Sequence, residues 1–306
     1  MMIRNWFKIS LLAAALVGAR VAPVGAQLRV VTSTTDLWDI ARQVGGQRVV
    51  AKHISEGYQD PHFVEAKPSF VLDLRKADVW AYVGLDLEIG WMQTLLDGAR
   101  NRKIAPGAPG HVDVSTAMPV IDVPRGNVDR SQGDVHPRGN PHYWLDPSNA
   151  KRIAELFKDR FTQLDPDGAS VYAANAAAFA AKLAAAEREW APLLARIRGK
   201  AVVGWHTSWR YFAQYTGLQL VGFMEPKPGV PPSPSHLAGL ILTMKRTGAK
   251  LIIMEPFYDR KMADFVAAKA GAKVLVVPPS VGGTRGVNDY VALMRHDIEA
   301  VAQALP

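Results

Sequence analysis

The 306-residue sequence contains no cysteine. This absence excludes disulfide bonds, thiolate metal ligands and the lipidated cysteine of a bacterial lipoprotein, and it disfavours copper(I) and iron–sulfur chemistry. A metal bound by this chain must be held by histidine nitrogen, carboxylate oxygen or water. The chain is long enough to fold on its hydrophobic core alone, without covalent cross-links.

Long apolar runs are also missing, since no stretch reaches the roughly 20 residues that a membrane-spanning helix needs. The apolar run 9–17 follows Arg4 and Lys8 and precedes the small residues at 24–26. This order predicts a cleaved secretory signal over residues 1–26. We therefore expect an exported protein that is not a lipoprotein.

The formal net charge is +8, and three of the positive charges, Arg4, Lys8 and Arg20, lie in the predicted signal. Acidic and basic residues are interspersed along the remaining chain, and no nucleic-acid-binding motif accompanies them. The charge thus indicates solubility, and nucleic acid is not an expected partner.

Short apolar runs alternate with amphipathic segments, which is typical of parallel α/β architecture. The strands are predicted at 28–33, 49–53, 79–83, 201–205, 219–223, 251–254 and 274–277. Helices are predicted at 38–45, 69–76, 91–100, 235–247, 260–270 and 289–304. The predicted fold class is α/β, with two Rossmann-like lobes whose parallel sheets are joined by one long rigid helix.

That joining helix is predicted over residues 168–198, an alanine-rich segment between an N-terminal lobe at 27–167 and a C-terminal lobe at 199–306. Its large apolar residues recur at intervals of seven, four, seven, four and three: Tyr172, Phe179, Leu183, Trp190, Leu194 and Ile197. They form one face of an unbroken helix of about 40 Å, at 1.5 Å per residue.

Three histidines lie where strand-like runs give way to turns. His62 and His142 each follow a proline, and His206 follows the predicted strand at 201–205. Imidazole is a common ligand for zinc, so the three rings form a plausible metal site in the cleft beyond the carboxyl ends of the strands. Their spacing leaves a second interpretation open, in which each ring only satisfies a loop carbonyl or caps a helix.

The chain resembles the periplasmic metal-binding proteins of zinc and manganese ABC transporters along essentially the whole of the predicted mature chain. The resemblance rests on motifs at 30–34, 60–62, 77–79, 140–147, 204–206, 211–212 and 254–256, and on the long helix. It implies that His62, His142 and His206 are metal ligands. It also implies delivery of Zn²⁺ to an inner-membrane permease, with Mn²⁺ as the less favoured alternative metal and a metallochaperone as a further candidate partner. The composition gives no sign of oligomers, so a monomer is expected.

The fourth ligand departs from that resemblance. Relatives carry a carboxylate after the last strand of the second lobe, whereas residues 277–283 contain none. Glu255 is the expected fourth ligand, with a water molecule as the alternative. Asp289 is expected to cap the last helix instead.

Two other functions stay open at this stage. Three imidazoles with an open position also describe a hydrolytic zinc centre, for which Glu255 or Tyr258 would have to act as the base. A binding protein for chelated iron or another organic ligand would share the architecture. The loop at 106–141, with Asp134 and His136, is interpreted as a solvated loop rather than a metal scavenger.

Overall fold

A computed structural model of the chain describes residues 27–126, 128 and 133–305, so the predicted signal segment lies outside the described residues. The first parallel sheet has the order β2-β1-β3-β4, with strands β1 (Leu28–Thr32), β2 (Val49–His53), β3 (Val79–Tyr82) and β4 (His111–Asp113). The second has the order β6-β5-β7-β8, with strands β5 (Ala201–Gly204), β6 (Gln219–Phe223), β7 (Leu251–Met254) and β8 (Lys273–Val276). The predicted α/β class with two parallel sheets is confirmed.

Helices cover both faces of each sheet, as parallel strands require. They are α1 (Thr35–Gly45), α2 (Pro68–Lys76), α3 (Met92–Ala99), α4 (Pro147–Leu164), α5 (Ala169–Ile197), α6 (Trp209–Thr216), α7 (Pro234–Thr247), α8 (Lys261–Ala270) and α9 (Tyr290–Ala304). Helices α2 and α3 pack on the outer face of the first sheet, and α7 and α8 on that of the second. In the described part of the chain, no helix combines the length and apolarity needed to cross a membrane.

The long helix α5 has 29 residues and packs against α1, α4 and α9. Five of its six predicted core residues are buried, and Leu194 is half-buried. The helix continues through Pro192, which has no backbone N–H to donate to the Arg188 carbonyl. The helix is therefore continuous as predicted but lacks one of its backbone hydrogen bonds. One continuous apolar core runs from α1 and α4 across α5 to α9 and the second sheet.

The segment after β8 joins the two lobes. The N–H of Val281 donates to Asp36 at 3.0 Å, and the N–H of Tyr290 donates to Asp39 at 2.9 Å. The indole Nε1 of Trp144 donates to the Pro279 carbonyl at 2.7 Å. This segment therefore turns toward the first lobe.

Several elements differ from the sequence predictions. The sequence analysis assigned no structure to α4, β4 or α6, although Asp146 caps α4 and a proline follows it. Strand β4 has only three residues, too few for a period-two pattern to appear. Asp289 caps α9 as expected, by accepting from the N–H of Ala292 at 2.8 Å.

Candidate metal centre

Two identical turns present His62 and His142. In each, the side-chain oxygen of the residue two positions earlier accepts both the backbone N–H and the ring Nδ1–H of the histidine. The distances are 3.0 and 2.7 Å between His62 and Asp60, and 3.0 and 2.9 Å between His142 and Asn140. The intervening proline fixes its own φ and so stiffens the turn. The sequence Asp-Pro-His or Asn-Pro-His (Asx-Pro-His) therefore forms a turn that orients the imidazole of its histidine.

His206 belongs to the other lobe and is positioned differently. It follows β5, and its Nδ1 lies 2.7 Å from the carboxylate of Glu225, which follows the neighbouring strand β6. Its Nε2 is buried and has no hydrogen-bond partner. A buried nitrogen lone pair without a donor is an unfavourable arrangement that a bound cation would satisfy.

The structure brings the three predicted histidines together. One ligand nitrogen from each of His62, His142 and His206 lies within 4.8 Å of the other two. Among the residues that the structure describes, they form the only such group of three or more possible metal ligands. The ring centroids are 5.1 to 5.4 Å apart. The rings converge from both lobes on one point.

Hydrogen bonding makes each ring a suitable ligand. A carboxylate or amide oxygen can only accept a hydrogen bond, so Asp60, Asn140 and Glu225 keep the ring proton on Nδ1. The Nε2 atom of each ring then has a lone pair that can bind a metal. Burial, and then the neighbouring imidazoles, hold the pKa of His142 well below its usual value. The ring is neutral before metal binds. Three imidazole nitrogens at this separation fit Zn²⁺.

Glu255 lies at the carboxyl end of β7 but outside this group of nitrogens. It is buried, and its Oε1 accepts a hydrogen bond from the Ser208 hydroxyl. Burial raises the pKa of Glu255 to about 8, against the opposing effect of Ser208. The carboxyl group is therefore protonated at neutral pH in the metal-free protein. Its role as the fourth ligand stays a prediction.

The pKa of Glu255 predicts how the metal-free protein responds to pH. Between pH 4.5 and about 8 the folded chain keeps this proton and the unfolded chain loses it. The wild-type free energy of unfolding should therefore fall as the pH rises through this range. Glu255→Gln removes the titration, so the variant should be more stable than wild type at pH 8.5 and similar at pH 5.

Chemical denaturation at both pH values measures this difference. Glu189→Gln, on the exposed face of α5, is the matched control and should follow wild type throughout. If the difference in free energy of unfolding between Glu255→Gln and wild type were the same at pH 5 and pH 8.5, Glu255 could not be protonated and buried as described.

His136 corrects the interpretation of the 106–141 loop as solvated. Its side chain is buried, and its Nε2 lies 3.2 Å from the Nε2 of His62. The ring centroids of His136 and His142 are 6.3 Å apart. The sequence analysis noted His136 but gave it no place in the site, because no turn motif marks it. Glu225 was not considered either, since it lies inside a proline-rich run.

Two cavities open onto the histidines. One of about 340 Å³ is lined by His62, His136 and residues that follow β3. The other, of about 410 Å³, is lined by His62, His206, Tyr258 and Met262, among others. Both cavities border His62 and Asp134, so His62 is the ring of the cluster that both of them reach.

Comparison with known proteins identifies the kind of protein that has this fold and site. The chain belongs to the ZnuA family, described as the periplasmic component A of the zinc-uptake complex, which it matches over residues 30–304. Membership confirms the resemblance inferred from the sequence motifs. It places the chain in a family of extracytoplasmic solute-binding proteins.

Individual relatives show the range of this family. The chain is 26% identical to the zinc-binding lipoprotein AdcA of Streptococcus pneumoniae serotype 4 over 97% of its own length, but it spans only 60% of that protein. It is also 26% identical to the manganese-binding lipoprotein MntA of Halalkalibacterium halodurans, covering 92% of this chain and 89% of that one.

Solved structures share the fold. A zinc-bound crystal structure of a ZnuA 138–173 deletion mutant superposes with a TM-score of 0.73 at 25% identity, covering 91% of this chain and 98% of that one. A manganese-bound periplasmic metal-binding protein from Candidatus Liberibacter asiaticus gives a TM-score of 0.74 at 22% identity, covering 92% and 100%.

Proposed function

We propose that this protein captures Zn²⁺ in the periplasm and delivers it to an ABC-type importer in the inner membrane. The observation that carries the proposal is the convergence of His62, His142 and His206, each with its Nδ1 bonded to an oxygen acceptor. Rings held in this way need little reorganisation when the metal binds, which favours high affinity.

Zinc is favoured over manganese by the donor atoms. Zn²⁺ binds imidazole well, whereas the harder Mn²⁺ prefers carboxylate and water oxygen. Asp60 and Glu225 bring negative charge close to the site by bonding to the ring Nδ1 atoms of His62 and His206, but they are not proposed to bind the metal themselves. Both a zinc-binding and a manganese-binding lipoprotein are among the relatives, so the choice of metal is a property of this site rather than of the fold.

The remaining features of the proposal concern export and organisation. We place a cleaved signal at 1–26, lobes at 27–167 and 199–306, and the linking helix at 168–198. We propose that the exported protein is not a lipoprotein, because the sequence has no cysteine to carry the lipid. It acts as a monomer that docks with the permease, and a metallochaperone is a further donor of metal.

The protein is proposed to have no catalytic activity. A hydrolytic zinc centre needs a base near the metal, and the two candidates were Glu255 and Tyr258. The carboxyl group of Glu255 is protonated up to about pH 8. Burial, followed by the neighbouring carboxylates, raises the pKa of Tyr258 far above its usual value. In the metal-free protein neither group is ionised at neutral pH, and the proposal that the protein has no catalytic activity is based on this.

Calorimetric titration of the metal-stripped protein tests the proposal. We expect one tight Zn²⁺ per chain, and Mn²⁺ weaker by at least roughly 100-fold because its affinity for nitrogen ligands is lower. Zinc bound more weakly than manganese would contradict the assignment. Absence of tight binding for both metals would direct the search to organic ligands in the same cleft.

A further inference from the structure

The contact between His136 and His62 has a geometry that a bound metal would explain. Their Nε2 atoms are 3.2 Å apart, and their ring centroids are 5.3 Å apart. In a tetrahedral zinc site with bonds of 2.0 to 2.1 Å, two ligand nitrogens lie roughly 3.3 Å from each other. The observed separation therefore matches one edge of such a tetrahedron.

The ring protons lie on the far sides of both imidazoles. The Nδ1 of His62 bonds to the Asp60 carboxylate at 2.7 Å, and the Nδ1 of His136 bonds to the Leu85 carbonyl at 2.8 Å. Both oxygens only accept, so both Nδ1 atoms donate and two Nε2 lone pairs face each other. Facing lone pairs at this distance repel unless a proton or a metal cation lies between them.

His136 is held in place by the strap, which we define as residues 133–139. The strap crosses from the first lobe to the second, where the N–H of Asp134 donates to the Pro228 carbonyl at 2.8 Å. Its other end leads directly into Asn140, which begins the turn that presents His142. The N–H of Gly139 donates back to the His136 carbonyl at 3.1 Å and closes a turn behind the ring. The strap thus covers the histidine cluster.

We propose that His136 is the fourth ligand and completes a zinc site of four imidazole nitrogens. The inference rests on the proposed function and adds a residue to that site. The His136 nitrogen lies outside the group of atoms within 4.8 Å of one another. Coordination therefore draws the ring and the strap a short way toward His142 and His206, and metal binding closes the strap over the site.

Glu255 competes less well for this position. A carboxylate ligand must be deprotonated, and the buried Glu255 already accepts a hydrogen bond from Ser208. It would have to give up that bond before it could reach the metal. His136 already points its Nε2 at another ligand nitrogen. The segment after β8, where relatives carry a carboxylate, is bonded to Asp36 and Trp144 instead.

X-ray absorption at the zinc edge, on protein loaded with one Zn²⁺, counts the imidazole ligands directly. Wild type should show four imidazole nitrogens, and His136→Ala should show three with one oxygen. In a chelator competition, His136→Ala should bind zinc at least about tenfold more weakly, because losing even an outer partner of a ligand costs 10- to 100-fold. The matched control is His111→Ala, whose ring is also bonded to a backbone carbonyl but lies elsewhere.

The outcomes separate this inference from the function on which it rests. Three imidazoles in wild type, with zinc affinity unchanged in His136→Ala, would overturn the fourth ligand and leave zinc capture intact. A wild-type protein that binds no zinc would overturn both. If His136→Ala fails to fold, the imidazole count of wild type alone decides, since three contradicts the inference and four supports it.

Discussion

Zinc affinity is expected to fall by more than about 100-fold when His142 is replaced by alanine, because loss of a ligand exceeds the effect of losing an outer partner. His142 is buried and lies close to both other predicted ligands. Its ring centroid lies 5.4 Å from that of His62 and 5.1 Å from that of His206. Its low pKa keeps the ring neutral, so wild type has no proton to displace from it at neutral pH.

Competition with a zinc chelator measures the affinity of His142→Ala beside that of His236→Ala. The ring of His236 bonds to the Phe223 carbonyl at 2.9 Å and lies outside the cluster, so this control should retain wild-type affinity. Equal zinc affinity in the His142 variant and wild type would remove the cluster as the capture site.

The free energy of unfolding of the metal-free protein is expected to fall by about 3 to 5 kcal/mol in Trp144→Ala. Trp144 is only 1% exposed. Its indole packs beside His142, with ring centroids 5.3 Å apart, and donates to the Pro279 carbonyl of the other lobe. The substitution leaves a cavity at the junction between the lobes and removes the partner of that carbonyl. Urea denaturation monitored by circular dichroism gives the value.

Trp144→Phe separates the two contributions. It keeps much of the ring volume and removes only the indole N–H, so we expect a loss of about 1 to 3 kcal/mol for the unpaired carbonyl, together with a small packing term. A Phe variant as stable as wild type would show that water or another donor satisfies Pro279. An Ala variant that loses less than about 1 kcal/mol would show that the junction contributes little to stability.

Much of the fold was predictable because most strands are continuous apolar runs, as buried parallel strands are, and alternate with amphipathic helices. The alanine-rich spacing of α5 gave its position to within a residue or two at each end. Strand β4 was not predicted, because three residues are too few to show a sequence pattern. Its pairing with β3 depends on the surrounding tertiary structure. Helix α4 had recognisable signals, with Asp146 as its cap and Ile153, Phe157 and Phe161 spaced by four residues.

The site was predictable only where local sequence determines geometry. The Asx-Pro-His turn is a local structure, since residues 60 and 62 contact each other directly, so the motif could be recognised without any fold. The contact between Glu225 and His206 spans 19 residues, and that between His136 and His62 spans 74. Such contacts follow from the folding of the chain between them, and sequence spacing does not reveal them.

The continuous core that α5 shares with both lobes has a consequence for how metal protects the protein. Lobes with a common core melt as one cooperative unit rather than in succession. Because the ligands come from both lobes, metal binding stabilises the folded state of the entire chain by mass action. The free energy of unfolding rises by about 2.7 kcal/mol at a free metal concentration 100 times the dissociation constant. We therefore expect the metal-loaded protein to resist proteases better than the metal-free form.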